Sequence, residues 1–349
     1  MNFSSKIIEW YKLNKRDLPW RKTKNPYKIW ISEIILQQTQ INQGLPYYNK
    51  FIIEFPNIFL LARSDEKKIL KLWQGLGYYS RARNLHFTAK YIATQLKGVF
   101  PKEYDNILKL KGVGEYTAAA IASFAFNKAH AVLDGNVFRV LSRYFNINTP
   151  INTSSGKKEF YLLSNKLLDT NEPGTYNQAI MDFGSLQCKP RNPNCKACVL
   201  NIDCQSYNSN NQLKLPVKIK PKKKKKIYID YFYIKNNYFL FLNKRLNQDI
   251  WKNLYDFPNI ININKPTKVE ISKSITEEYG DNFKIIKTSK IYIHNLTHKK
   301  IFARFWEIKF ENLLNENLKK LEKINFNDLI NYPIPRLIDK FLNDEKLIN

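Results

Sequence analysis

The sequence predicts a multidomain protein, with an all-α domain in its first half and a mixed α+β domain after it. Three observations carry this. Apolar residues recur at helical spacing from the N-terminus up to a cluster of cysteines. The stretch "SYNSNNQLKLPVKIKPKKKKK" is polar, punctuated by Pro216 and Pro221, and ends in a lysine run, which suits a solvated linker. Beyond it the pattern changes to β-branched and aromatic runs separated by turns. At 349 residues the chain is also longer than one core usually organises. The expected divisions are a helical domain over 1–187, a cysteine loop over 188–206, a basic linker over 207–226 and a second domain over 227–349.

The helices follow in order. "SSKIIEWYKLNK" and the residue before it place Phe3, Ile7 and Tyr11 on one face. "PYKIWISEIILQQTQI" has Pro26 at its entry and carries Trp30, Ile34 and Ile41 at helical intervals. "SDEKKILKLWQGL", "YSRARNLHFTAKYIATQL" and "TAAAIASFAF" continue the pattern between turns rich in Gly and Pro. In the second domain "IYIDYFYI" and "YFLFLNKR" read as two strands around the turn "KNN". "KIYIHNLTHKKIFARFWEIKF" reads as strand, loop, strand, while "KVEISKSITEEYG" and part of "NDLINYPIPRLIDKFL" read as helices.

Composition bounds the function. Lys plus Arg number 57 against 30 Asp plus Glu, a net charge of +27 that attracts polyanions such as nucleic acid. A lysine-rich proteome would inflate the same number, so charge alone decides little. The N-terminus lacks the basic and apolar regions of a signal peptide, and no apolar run reaches transmembrane length. A cytosolic protein with no membrane partner is expected. All the sulfur outside the methionines sits at Cys188, Cys195, Cys198 and Cys204. In a reducing cytosol four cysteines in one short loop point to a metal or cluster site. The spacing C-x6-C-x2-C-x5-C leaves zinc and iron–sulfur both open.

Three further stretches carry chemistry. In "LKGVGEYTAAAI" Gly112 and Gly114 permit a tight turn before a helix, whose backbone N–H groups make a phosphate site that reads no sequence. In "VLDGNVFRVLSR" Asp134 stands where a helix N-cap belongs. In "WISEIILQQTQI" Glu33 is surrounded by apolar residues, which raise a carboxyl's pKa toward the range a general acid needs.

These motifs, with "LPWR", "WQGLGYYSRARNL", "NQAIMDFGSLQCKPRNPNCKAC" and "WKNLYDFP", resemble in content and order those of the MutY-type adenine DNA glycosylases, from Ile7 to the C-terminus. These belong to the endonuclease III superfamily. The resemblance implies a helix-hairpin-helix glycosylase domain with a cluster loop, followed by a Nudix-like domain that recognises the lesion. It implies one 4Fe-4S cluster on the four cysteines. It implies Glu33 as the acid that protonates adenine, Asp134 as the carboxylate that stabilises the sugar cation, and Tyr116 and Asn136 as the residues that position Glu33 and the sugar. It places Trp20, Arg21 and Gln178 in an adenine pocket. Leu36, Gln38 and Tyr78 would wedge into the base stack as adenine is flipped out. Leu296, Thr297 and His298 fall where the family reads 8-oxoguanine through a loop of the type F-S-H, with Lys299 and Lys300 beside them to hold phosphates. Endonuclease III has a nucleophilic lysine where this chain has Tyr116, so a monofunctional enzyme without strong lyase activity is implied. The partner implied is duplex DNA bearing A·8-oxoguanine or A·G, bound by a monomer at the bacterial nucleoid.

Two other readings compete. A Nudix pyrophosphohydrolase would need the full acidic box, yet "KSITEEYG" has Lys273 and Ser274 in place of Arg and Glu. A non-enzymatic DNA-binding or redox-sensing protein would have no use for Glu33, Tyr116, Asp134 and Asn136 together.

Overall fold

The structure, a computed structural model, describes residues 2–220, 224–235, 238–246, 248–310 and 316–347. It contains two compact units. One comprises residues 1–63 and 84–220, the other 64–83 and 221–349. Residues 221–223 of the expected linker and 236 and 237 of the expected turn lie outside the described residues.

The first unit is helical. Its elements are α1 (Phe3–Asn14), α2 (Pro26–Leu36), α3 (Ile41–Glu54), α4 (Ile58–Arg63), the greater part of α6 (Ser80–Thr94), α7 (Tyr104–Leu108), α8 (Glu115–Phe126), α9 (Gly135–Tyr144), α10 (Ser154–Leu167), α11 (Pro173–Leu186) and the short α12 (Gln205–Asn208). Helix α5 (Glu66–Leu72) belongs to the second unit. Phe3, Ile7 and Tyr11 are buried together on α1. Asn25 caps α2 by accepting from the N–H groups of Tyr27 and Lys28, with Pro26 at the first helical position. Helix α2 packs on α3 and α8, α8 on α7 and α11, and α11 on α1 and α9. The expectation that Ile41 continues the face of Trp30 and Ile34 is corrected. Helix α2 stops at Leu36, Gln38 takes a φ of 54°, and Ile41 opens α3.

Part of the expected linker is also not free. Leu215 is buried, its carbonyl accepts from Arg143 Nε at 3.2 Å, and Val217 accepts from the Ile151 N–H at 3.0 Å. Asn152 exchanges two 2.9 Å bonds with the backbone of Ile219. These bonds fasten residues 215–219 to the helical unit.

In the second unit β1 (Lys225–Ile234) lies between β4 (Asn259–Asn262), antiparallel, and β7 (Lys299–Phe310), parallel. Strands β5 (Phe283–Thr288) and β6 (Tyr292–Asn295) both run antiparallel to β7. A second sheet holds β2 (Phe239–Lys244) between β3 (Tyr255–Asp256) and β8 (Glu322–Asn325). The first two strands flank the expected turn but belong to different sheets. Both edges of β1 are taken by β4 and β7, and among the described residues a Lys235–Leu240 antiparallel bridge joins its end toward β2.

Alternation along the strands builds two apolar layers. Phe232, Ile234, Trp306 and Ile308 face α13 (Lys268–Tyr279) through Ile271 and Ile275, and the four-residue α14 (Glu316–Lys319) adds Leu318 to this core. Tyr231 and Phe305 stack at 5.0 Å, and Phe305 stacks on Phe341 of α15 (Arg336–Asp344) at 3.9 Å. A sheet covered on both faces results. On α13 Lys273 pairs with Glu277 and Ser274 donates to the Glu270 carbonyl, so the positions that depart from a Nudix box serve the helix itself.

Residues 64–83, which a linear division leaves in the helical domain, cluster with the second unit because they bond to it. Gln74 Nε2 donates to Asp339 at 3.0 Å, Tyr79 Oη to the Ile334 carbonyl at 3.2 Å, and Arg83 Nη1 to the Lys252 carbonyl at 2.8 Å.

Candidate active site and cysteine centre

Helices α2, α8, α9 and α11 of the first unit, packed in the succession α2 on α8, α8 on α11 and α11 on α9, line a cavity of about 170 Å³. Its walls include Trp20, Arg21, Glu33, Leu36, Tyr116, Asp134, Asn136, Gln178 and Met181. Glu33 comes from α2, whose neighbouring residues Ile29 to Ile35 are all buried. Exclusion from water pushes the Glu33 carboxyl up to about 7. A hydrogen bond from Tyr116 and the charge of Arg21 oppose that rise, and the Asp134 carboxylate adds to it. Tyr116 stands on the first turn of α8, with its hydroxyl 3.3 Å from the sulfur of Met181.

Asp134 is the N-cap of α9. Its Oδ1 accepts from the N–H groups of Asn136 and Val137 at 2.8 Å, and its Oδ2 accepts from Asn136 Nδ2 at 2.8 Å. Burial pushes its pKa up, and these bonds pull it back. The chain of contacts continues outward. Asn136 Oδ1 accepts from Arg139 Nη2 at 2.8 Å, and Arg139 Nε donates to the Cys188 carbonyl at 2.8 Å. Gly184 allows this approach, since a Cβ there would fall 2.7 Å from the Cβ of Asn136.

Helix α11 lines the cavity with Gln178 and Met181, and the adjacent Asp182 is fully buried. Arg21 Nη1 and Nη2 donate to the Asp182 carboxylate at 2.5 and 2.7 Å, and Arg16 Nε donates at 2.8 Å. Gln178 accepts from the Tyr11 hydroxyl at 2.9 Å, and Trp20 packs edge-on against Tyr48 at 5.0 Å. The sequence singled out Trp20, Arg21 and Gln178 but missed Arg16, Met181, Asp182 and Arg139. Asp182 is one turn beyond Gln178, and that helical spacing was the available signal.

Gly112 adopts a φ of 85°, and a Cβ there would fall 2.7 Å from the Cβ of Asn84. Gly114 caps α8 without any side-chain bond and opens onto free space. Gln37, also missed in the sequence, reaches across to the Gly112 carbonyl at 3.4 Å and Thr117 Oγ1 at 3.3 Å. Gln38 beside it is exposed with a positive φ.

The other candidate DNA contacts lie in the second unit. Tyr78 is exposed at a φ of 48°. Buried Arg81 braces its loop by donating to the Gly77 carbonyl at 3.0 Å and lying 5.2 Å from the Trp73 ring. Between β6 and β7 the Leu296 N–H donates to the Lys299 carbonyl at 2.9 Å, which closes a turn. Leu296 is half-buried at its base, while Thr297 and His298 are exposed at its tip.

All four cysteines line one small cavity of the first unit. Burial pushes the thiols of Cys188 and Cys195 up and that of Cys198 up to about 11. Arg143 lies over them, with Nη1 3.5 Å from Cys188 Sγ and 2.7 Å from the Lys189 carbonyl. Among the described residues, no three His, Cys, Asp or Glu side chains close on a single-ion position. Four thiols around one cavity beside a guanidinium fit a thiolate-bound centre.

Comparison with known proteins follows the same division. A family model described as HhH-GPD superfamily base excision DNA repair protein matches residues 31–164, and a NUDIX domain model matches 230–344. The adenine DNA glycosylase of Buchnera aphidicola subsp. Baizongia pistaciae is 38% identical over 99% of this chain and 97% of its own. The adenine DNA glycosylase of Homo sapiens is 36% identical over 61% of this chain and 41% of its own. A thermostable thymine-DNA glycosylase structure superposes with a TM-score of 0.56 at 32% identity, over 59% of this chain and 95% of that one. An endonuclease III in a non-covalent DNA complex gives a TM-score of 0.51 at 20% identity, over 60% of this chain and 99% of that one, and so shares the fold.

The Asp182 pairing yields a stability prediction. Burial pushes this carboxyl up, but its two arginine partners outweigh that and hold it below the ordinary value, so its stabilising contribution is present above the unfolded pKa and lost as pH falls through the folded one. Asp182→Asn should cost about 3–5 kcal/mol near neutral pH, because it strands two guanidinium groups, and denaturant titration checks this. The deficit relative to wild type should shrink toward acid pH.

Proposed function

The chain belongs to the MutY-type adenine DNA glycosylase family, and from that premise we propose that it hydrolyses the N-glycosidic bond of adenine mispaired with 8-oxoguanine or guanine in duplex DNA. The observation that carries the reading is the buried Glu33 carboxyl, poised at about 7, sharing one cavity with Tyr116, Asp134 and Asn136. Glu33 in its neutral form donates a proton to a ring nitrogen of the flipped adenine, which makes the base a competent leaving group. As the bond breaks, the sugar gains oxocarbenium character, and the Asp134 carboxylate stabilises it from its fixed place on α9. Asn136 and the N–H of Val137 hold that carboxylate in position. Water then attacks the sugar, with Glu33 as base. The reaction stops at an abasic site, because Tyr116 and not an amine stands on the hairpin helix. No lysine is among the described residues lining the cavity.

Glu33→Gln should keep its affinity for mispaired DNA and slow single-turnover excision by about a hundredfold or more, since the amide cannot donate the proton. Wild-type excision should fall as pH rises through about 7, where Glu33 ionises. Near wild-type excision by the variant would refute the assignment.

Cys188, Cys195, Cys198 and Cys204 would hold one 4Fe-4S cluster. When bound, that group would clamp the loop in its fold. Elemental analysis of anaerobically purified protein should give about four irons per chain. A single zinc would overturn the cluster. Cys198→Ser should lose iron and DNA affinity together.

The second unit supplies lesion choice in this reading, through Leu296, Thr297 and His298 at an exposed turn whose next residues are Lys299 and Lys300. Thr297→Ala combined with His298→Ala should slow excision opposite 8-oxoguanine and leave excision opposite guanine nearly unchanged. Equal losses on both substrates would reassign the turn to general binding.

A further inference from the structure

Met181 is the chain's sole methionine apart from Met1. It is half-buried on α11, its side chain lines the candidate catalytic cavity, and its sulfur lies 3.3 Å from the Tyr116 hydroxyl. Tyr116 has one hydroxyl proton and two acceptors for it, the Met181 thioether and the Glu33 carboxyl. A thioether is a weak acceptor, so an ionised Glu33 takes the proton from it. When Glu33 is neutral it donates to the tyrosine oxygen, and the tyrosine proton rests on sulfur.

We propose that Met181 is a site of reversible oxidative modification, at which a hydroperoxide entering the cavity converts the thioether to a sulfoxide and slows excision. A sulfur lone pair attacks the peroxide oxygen, the S–O bond forms and the O–O bond breaks. The oxygen now on sulfur gives up its proton to the hydroxide that leaves, which yields the sulfoxide and water. Sulfur loses two electrons and the peroxide gains them. The cavity, at about 170 Å³, is large enough to admit a molecule the size of hydrogen peroxide. The sulfoxide oxygen is a strong acceptor and keeps the tyrosine proton. Ionised Glu33 then loses the donor that opposes its upward shift, and a polar oxygen intrudes where adenine would lie. Methionine sulfoxide reductases reverse the change.

The proposal rests on the catalytic reading of Glu33 and Tyr116, and its test separates the two. The full-length protein is treated with graded hydrogen peroxide. The peptide carrying Met181 is then weighed, and single-turnover excision is measured across pH. Peroxide also reaches cysteines, so Met181→Leu is treated in parallel, with each protein compared with its own untreated rate. We expect a one-oxygen gain on the Met181 peptide and excision about tenfold slower at neutral pH. The high-pH limb should move upward, and a mixture of MsrA and MsrB should restore the rate. Met181→Leu should keep most of its own untreated rate. Undiminished excision by protein oxidised at Met181 would overturn the proposal. So would an equal fractional loss in Met181→Leu, which would place the damage at the cysteines. Failure of the untreated protein to excise adenine would instead overturn the catalytic reading, and this proposal with it.

Discussion

A carboxyl kept out of water is the constraint on which the first unit depends. Glu33 is held on α2 with buried residues on both sides of it in sequence, and this burial moves its proton affinity to the neutral range. Arg21 lies in the same cavity and would hold the carboxyl ionised if its charge were uncommitted. Asp182 takes up that charge through two bonds to the Arg21 guanidinium. Arg16, more exposed, shares the same carboxylate. The Arg21–Asp182 pair, whose carboxylate stands on α11, therefore tunes the acid on α2, and the packing of α2 on α8 and of α8 on α11 helps fix the distances involved.

Helix α9 plays the complementary part. Its N-cap carboxylate satisfies two backbone N–H groups and an Asn136 amide at once, so Asp134 cannot swing away without leaving donors unpaired. Arg139, one turn on, links Asn136 to the Cys188 and Gly184 carbonyls, and Arg143, a further turn on, reaches the carbonyls of Lys189, Pro190 and Leu215. One face of one helix thus joins the candidate catalytic carboxylate to the cysteine loop and to the chain that leaves it. The second unit is built differently. Its sheet is covered on one face by α13 and on the other by Phe341 of α15, and Asp230 within it accepts from Arg304 and Trp306.

Local pattern made much of this readable. A glutamate among apolar residues, an aspartate before a glycine and a new helix, and cysteines gathered in one loop each state their surroundings within a few residues. What was not readable depends on partners distant in the chain. Asp182 looks like an ordinary helix aspartate until Arg16 and Arg21, over 160 residues earlier, are brought to it. Met181 reads as filler until Tyr116 is placed beside it. The pairing of β1 could not be inferred from β-propensity, which specifies a strand but not its neighbours, and its partners β4 and β7 lie downstream of the intervening β2. For the same reason residues 64–83 read as helical but not as part of the second unit, whose bonds to them come from beyond residue 251.

Backbone conformation is the remaining element that composition hides. Gln38 and Tyr78 are both exposed, both lack the freedom of glycine, and both hold a positive φ. Such a conformation costs on the order of 1 kcal/mol and persists only where the surroundings impose it. At Tyr78 the imposition is visible. Gly75 and Gly77 turn the chain with φ values of 96° and 74°, and Arg81 and Trp73 Nε1 both bond the Gly77 carbonyl. A buried arginine, with its proton affinity lowered to about 10 by desolvation, holds an aromatic side chain out in solvent. At Gln38 the preceding Gln37 is anchored to the hairpin turn and α8, so the strained residue projects from a fixed base. Each unit therefore spends stability to present one side chain in a fixed outward pose. Under the proposed function, in which these two side chains would enter the base stack, such bracing would matter, because a wedge that yields on contact transmits no work to the duplex.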